Sequence, residues 1–169
     1  MRRAVIITLS LILLWAIVAQ LNDALSAVRL YVFAGGLFVA FAALTQPRQP
    51  GLTAVMLAGL VCDANSPVTF GLHMLLFATA HFILFQLRER VPRDDAVSAI
   101  AVVLLTNLAL FLVFSFTQIH GSPAPAVTWP RLIADLVCSQ IFLALVTPWF
   151  FALQAGALAF ARVPRLDVP

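Results

Sequence analysis

The sequence predicts an all-α membrane protein, a six-helix transmembrane bundle that occupies residues 1–169 as one integral membrane domain. Of its 169 residues, 63% are hydrophobic and only 10% are charged, and the mean hydropathy is +1.04. Soluble globular domains are less apolar and more charged than this. Six apolar runs predict the membrane spans, which are expected near residues 4–21, 28–44, 51–62, 68–87, 96–117 and 135–160.

The distribution of arginine predicts how the bundle is oriented. All ten basic residues are arginine, and the net charge is +3. With six spans and a cytoplasmic N-terminus, eight arginines lie on the cytoplasmic side and only Arg29 and Arg131 lie outside, which is a strong positive-inside bias. Both termini are therefore predicted in the cytoplasm. Arginines scattered among the ends of apolar segments suit contact with membrane lipid headgroups and exclude a nucleic-acid surface.

The first apolar run follows Arg2 and Arg3 and predicts a retained transmembrane helix. Its eighteen residues exceed the usual apolar core of a secretory signal, about 7–15 residues, and would span roughly 27 Å as a helix. A polar turn at 22–26 separates it from the second run. Within that second run, Gly35 and Gly36 either permit close approach of a neighbouring helix or are simply tolerated.

The third apolar run is too short for an ordinary span. A loop at 45–50, with prolines at 47 and 50, is predicted to precede it. Residues 51–62 would extend only about 18 Å as a helix, against a hydrocarbon core of about 30 Å. We therefore expect either a locally thinned bilayer or a third span that is short and broken near Asp63. Irregular backbone at membrane depth must be satisfied by protein or water, so a break would line a cavity or a partner-binding groove.

Asp63 is the candidate functional residue of this stretch. An ionisable side chain near membrane depth is a functional-site hypothesis by default. The structural alternative is that Asp63 caps a helix in an external turn, accepting backbone hydrogen bonds. Donors expected for its carboxylate are the backbone amides of Asn65 and Ser66, the Asn65 side chain, or an arginine of a partner. Between these readings we favour, slightly, a charged contact with a partner.

The second half of the chain supplies fewer polar candidates. His73 and His81 are eight residues apart, about 80° around a helix, so they are not neighbouring metal ligands. Asn107 lies in the middle of the fifth span and is expected to hydrogen-bond to another helix. A loop at 118–131 is predicted outside the membrane. Asp135 begins the final span, which is expected to kink at Pro148.

Motifs for catalysis and metal binding are absent from the sequence. It contains no Ser-His-Asp pattern, HExxH, P-loop or GxSxG motif. Its two cysteines, Cys62 and Cys138, fall inside apolar runs, where a free thiol behaves as a small hydrophobic group. We therefore expect a non-enzymatic protein with no cofactor, no catalytic residue and no metal site.

The chain resembles the bacterial rod shape-determining protein MreD family. The resemblance covers the length and the six-span layout, and it includes the end of the last helix at 147–150, Thr-Pro-Trp-Phe. It rests above all on a G-L-x-x-D motif, a small polar turn and a following G-L. These motif residues are Gly59, Leu60, Asp63, Gly71 and Leu72. Between Asp63 and Gly71 the chain departs from the family pattern, with Ala64, Asn65, Ser66, Pro67 and Val68.

The resemblance implies a multi-pass protein of the bacterial inner membrane that belongs to the cell-elongation complex. Its implied partners are an MreC-like single-span periplasmic protein and, directly or through it, the peptidoglycan synthase and transpeptidase of the lateral wall. The implied role is structural and regulatory, in support of peptidoglycan synthesis and cell shape. The residues expected to form the partner-binding or structural motif are Gly59, Leu60, Asp63, Asn65, Pro67, Gly71, Asn107, Asp135 and Pro148.

Two other functions remain open from the residues alone. The first is the substrate-binding membrane subunit, or S-component, of an energy-coupling vitamin transporter, because such subunits are also small and six-helical and the broken segment would serve as a ligand pocket. The external loops, however, offer only His120 and Trp129 as ligand-binding groups. The second is a small channel or ion transporter. It would need more intramembrane polar residues than the chain has, which are Asp63, Asn107, Asp135 and Gln140.

Overall fold

Six α-helices form the structure, which is a computed structural model describing residues 2–66, 69–90, 96–119 and 125–161. The helices are α1 (Arg2–Ser26), α2 (Gly35–Thr45), α3 (Arg48–Ala64), α4 (Leu72–Leu87), α5 (Ala96–Ile119) and α6 (Pro125–Phe160). A short 3₁₀ turn, Arg88–Arg90, follows α4, and the described residues contain no strand. The all-helical class predicted from composition is confirmed. Helices α1, α5 and α6 are long and apolar enough to cross a membrane.

Helix α2 lies at the centre of the bundle. It packs against α3, α4, α5 and α6, and every residue from Gly35 to Ala43 is buried. A helix that is apolar on all sides and buried on all sides belongs in a core. At eleven residues it is only about 16 Å long. The shortest α-helix among the described residues is therefore α2, and the span expected near residues 28–44 is helical only from Gly35 onward.

Helices α3 and α4 run antiparallel, as contacts near both of their ends show. Gly59 lies against Met74 and Gly51 against His81, which sets α3 against α4. Ser10 of α1 bonds Gln154 near the end of α6 at 2.8 Å. The bundle consequently has two ends. One holds Asp63 and the start of α4 and is called the Asp63 end; the other holds the start of α3 and the end of α4 and is called the Arg48 end.

Helix α3 is longer than the sequence predicts. It begins at Arg48 and continues through Asp63 to Ala64, a total of 17 residues. Pro50 falls in the first turn, where a missing N–H has no helical acceptor to lose. The predicted loop at 45–50 therefore shrinks to two residues between helices. The break expected near Asp63 begins only after Ala64.

Helices α1, α5 and α6 also extend beyond their predicted bounds. Helix α1 continues to Ser26 and includes the polar positions predicted as a turn. Helix α5 ends at Ile119 and α6 begins at Pro125, so helix replaces most of the loop predicted at 118–131. Helix α6 continues through both Pro130 and Pro148, at 36 residues and about 54 Å. The final apolar run is thus one long helix, which begins ten residues before Asp135, where the last membrane span is expected to start.

Apolar side chains cover the outside of the bundle as well as its core. On α1 one face is buried, and another face carries a stripe of apolar residues that are each more than half exposed: Val5, Leu9, Leu13 and Ile17. Exposed apolar residues at a spacing of four form one face of a helix, which is suited to lipid rather than water. The core beneath is built from α1, α2 and their neighbours, with Ile7, Leu11, Leu37 and Leu143 completely buried.

Candidate functional site

Asp63 joins the end of α3 to the start of α4. Its carboxylate accepts three hydrogen bonds: one oxygen from the backbone N–H and Nδ1 of His73, both at 2.9 Å, and the other from the backbone N–H of Met74 at 3.1 Å. Because a carboxylate only accepts, Nδ1 carries the proton of the side-chain bond. The side chain of Asp63 is completely buried. All its bonds are therefore made inside the molecule.

Two glycines, Gly59 and Gly71, make this junction possible. Gly71, at the N-cap of α4, has φ of +94° and offers no capping side chain. The second and third N–H groups of α4 would otherwise lack acceptors, and Asp63 supplies them from the neighbouring helix. Gly59 brings α3 close to α4, since a Cβ there would lie 2.6 Å from the Cα of Met74. Gly59, Asp63 and Gly71 thus serve one helical hairpin.

A second set of polar side chains holds the irregular segment, residues 30–34, that leads into α2. The backbone N–H groups of Tyr31, Val32 and Phe33 bond in turn to Asp135 at 2.8 Å, to Asn22 at 2.7 Å and to Ser139 at 2.9 Å. The amide of Asn22 also donates to the Val32 carbonyl oxygen at 2.9 Å. Non-helical backbone within an apolar bundle requires such partners.

Asn107 completes the same arrangement at the first turn of α2. Its side-chain oxygen accepts the backbone N–H of Gly36 at 3.0 Å, and the residue is completely buried. A Cβ at Gly36 would lie 2.3 Å from the Val103 carbonyl oxygen, so α2 and α5 touch through backbone. The prediction that Asn107 bonds another helix is confirmed. Of the two alternatives for the glycine pair, close approach of a neighbouring helix holds at Gly36, whereas a Cβ at Gly35 would meet mainly the side chain of Phe33.

A cavity of about 330 Å³ lies between the two junctions at the Asp63 end. Its wall combines the aromatic rings of Phe33, Phe111 and Phe114 with polar groups of Tyr31, His73, Ser115, Arg131 and Asp135. The His73 ring stacks on Phe114 with centroids 4.3 Å apart. An apolar wall with a few convergent polar groups is typical of a binding pocket. The cavity can therefore hold a small ligand or a side chain of a partner.

The other residues predicted for the motif have minor or separate positions. Asn65 is exposed at the C-cap of α3, and its side chain donates to the Val61 carbonyl oxygen at 2.8 Å. Leu60 is half-buried on α3, and Pro148 is exposed on α6. Pro67 lies outside the described residues. The donors expected for Asp63 from Asn65 and Ser66 are wrong, because α4 supplies them instead.

Sequence reasoning missed Asn22, Ser139 and the bonding role of His73. Asn22 falls in a predicted turn, and the sequence there gives no reason to expect a hydrogen bond between its side chain and a residue ten positions later. Ser139 follows Asp135 by four positions, which places both on one face of α6. That spacing was the available signal. Among the described residues, no group of three or more His, Cys, Asp or Glu side chains is arranged to hold a metal ion.

No family model matches this chain, and no curated protein or solved structure matches it either.

Proposed function

We propose that the protein is a non-enzymatic scaffold of the bacterial inner membrane that supports cell elongation, as the MreD family does. The observation that carries the proposal is that the motif residues Gly59, Asp63 and Gly71 act together in one α3–α4 hairpin. A motif that serves one packed junction fits a protein whose rigid shape is its function. The proposed partners are a single-span periplasmic protein, a peptidoglycan synthase and a transpeptidase.

The Asp63 end is the proposed partner-facing end. Its irregular segment, α4 and α6 are held by buried polar bonds, so the surface around the cavity is preorganised for binding. In the proposed topology this end faces the periplasm, and the Arg48 end faces the cytoplasm with both termini. Arginines at positions 48, 88 and 90 all lie at the Arg48 end, in agreement with the positive-inside bias.

Affinity purification from native membranes tests the partner proposal. We expect the tagged protein to retrieve a single-span periplasmic protein and the wall synthases, and we expect depletion to give rounded cells with mislocalised wall synthesis. Retrieval of none of these proteins, together with normal cell shape after depletion, would refute the scaffold role.

Cysteine labelling tests the topology separately. In a background without Cys62 and Cys138, single cysteines replace Gln49 and Ser122. An impermeant thiol reagent applied from outside should label position 122 and leave position 49 unlabelled. Labelling of both positions from the same side would refute the six-span topology, whatever the partner is.

The cavity favours a second candidate function, that of a substrate-binding subunit of an energy-coupling transporter. Its volume and its mixture of aromatic and charged groups fall within the range of small-molecule sites. Arg131 and Asp135 would hold opposite charges of a ligand. Co-purification of a small molecule, together with an ATPase pair and a coupling subunit, would support this function over the scaffold.

A further inference from the structure

A separate cavity, of about 280 Å³, lies at the Arg48 end. The start of α3 and the end of α4 form its wall, and it shares no residue with the cavity at the Asp63 end. Its lining residues are Arg48, Phe82, Phe85, Gln86, Arg88 and Glu89.

Both arginines of this cavity are held against aromatic rings. The guanidinium carbon of Arg48 lies 5.0 Å from the centre of the Phe82 ring, and that of Arg88 lies 3.9 Å from the centre of the Phe85 ring. Arg88 also donates from Nη1 to the Gln46 carbonyl oxygen at 3.2 Å. A guanidinium stacked on a ring keeps its N–H donors in its own plane, available to an anion. Among the described residues, Arg48 has no hydrogen-bond acceptor for its side chain.

The surroundings favour a phosphate group as the anion. The planar fork of N–H donors on a guanidinium matches the geometry of phosphate oxygens, and two arginines line this cavity. Helix α3 begins at Arg48, so its unpaired N–H groups and the positive end of its dipole lie at the same place. Glu89 contributes one negative charge to the wall, and this charge disfavours a multiply charged anion. The Glu89 carboxylate can also accept a hydrogen bond from a hydroxyl group of the ligand.

An exposed stripe on α4 favours a lipid over a free phosphate. Leu75, Thr79, Phe82 and Gln86 are all exposed and follow one another at spacings of four, three and four residues, on one face of the helix. Two of them, Phe82 and Gln86, line the cavity. The stripe therefore runs from the cavity along the lipid-facing side of the bundle, where an acyl chain would lie.

We propose that this cavity binds the phosphodiester of an anionic diacyl phospholipid with a hydroxyl-bearing headgroup. Arg48 and Arg88 donate to the phosphate oxygens, Glu89 accepts from a headgroup hydroxyl, and one acyl chain packs along Leu75 and Phe82. Basic pockets between helices at the headgroup level are suited to such lipids. The proposal does not depend on the scaffold function.

Native mass spectrometry of the purified full-length protein in detergent tests this site. The probes are phosphatidylglycerol, phosphatidylcholine with the same acyl chains, and soluble glycerol phosphate. We expect phosphatidylglycerol to bind about tenfold more tightly than phosphatidylcholine, and we expect Arg48→Gln and Arg88→Lys each to weaken it by about tenfold. Arg90→Gln is the matched control, because Arg90 is exposed two residues beyond Arg88 and does not line the cavity.

Three outcomes would overturn the proposal. Equal binding of the two lipids would show that charge is not recognised. Equal binding of glycerol phosphate and phosphatidylglycerol would show an anion site without a lipid. An effect of Arg90→Gln as large as that of Arg48→Gln would show general charge attraction. If Arg88→Lys loses helicity by circular dichroism, Arg48→Gln decides the test.

Discussion

The two junctions at the Asp63 end solve the same problem in different ways. At the α3–α4 hairpin, the single carboxylate of Asp63 accepts three hydrogen bonds from two residues that follow it by ten and eleven positions. At the entry to α2, four side chains on three helices each accept one backbone N–H, and Asp135 is 104 positions from the residue it bonds.

One residue therefore supplies every acceptor of the first junction, whereas four residues share the acceptors of the second. Removal of Asp63 leaves three buried donors without an acceptor at once. Removal of any one member of the second junction leaves one backbone N–H unpaired, and the other three side chains still bond the segment. The stability effect of a substitution should therefore follow the number of donors it leaves unpaired rather than the chemical type of the residue.

Glycine replacement should break both junctions alike and have the largest effect. In Gly36→Val and Gly59→Val the new Cβ would collide with backbone of α5 and α4, at 2.3 and 2.6 Å, and backbone cannot rotate away. We expect a loss of about 4 kcal/mol or more in the free energy of unfolding, measured by SDS titration in mixed micelles. Gly156→Ala is the control, since a Cβ there meets nothing within 4 Å. A mild effect at either site would contradict the close packing of that helix pair.

Asp63→Ala should be the most severe of the polar substitutions. It leaves the N–H groups of His73 and Met74 and the Nδ1 of His73 unpaired in a buried place, so we expect a loss of about 3 kcal/mol in the free energy of unfolding. Hydrogen exchange should rise first at residues 72–75. Exchange that stays unchanged there would show that Asp63 does not cap α4.

Asp135→Ala should have about half that effect. It removes the acceptor of one N–H, that of Tyr31, so we expect a loss of about 1.5 kcal/mol, with faster exchange confined to residues 30–34. Exposed Asp23→Ala on α1 is the matched control and should change stability by less than about 0.5 kcal/mol. A loss for Asp135→Ala that equals the loss for Asp63→Ala would remove the distinction between the two junctions.

Asp63→Asn should have the smallest effect. An amide oxygen still caps a helix, so only part of the three-bond set is lost, and we expect a loss of about 1 kcal/mol. Since the carboxylate is buried, we also expect the variant to complement a depletion strain. If complementation is lost while membrane levels of the protein stay normal, the charged contact with a partner that the sequence analysis favours would explain Asp63.

The polar residues of the two junctions are predictable from the sequence to different degrees. Asp63 was found because an acid among apolar residues is conspicuous, and its capping alternative was foreseen, although the donors were not. Asn107 is conspicuous as a polar amide in the middle of an apolar run, and the sequence predicts its bond to another helix. The irregular entry to α2 was not predicted, because residues 28–44 are as apolar as a helical span and hydropathy does not distinguish a buried irregular segment from a helix.

By itself, the sequence determined that this protein is a helical membrane protein with polar residues at few interior places, because composition and apolar run length depend only on the order of residues. The tertiary structure was needed to show which helix is short, where the irregular backbone lies and which N–H groups donate to each carboxylate. Those features depend on contacts between residues 10 to 106 positions apart. An unpaired backbone group at membrane depth can be satisfied from any neighbouring helix, and the sequence does not say which helix is the neighbour.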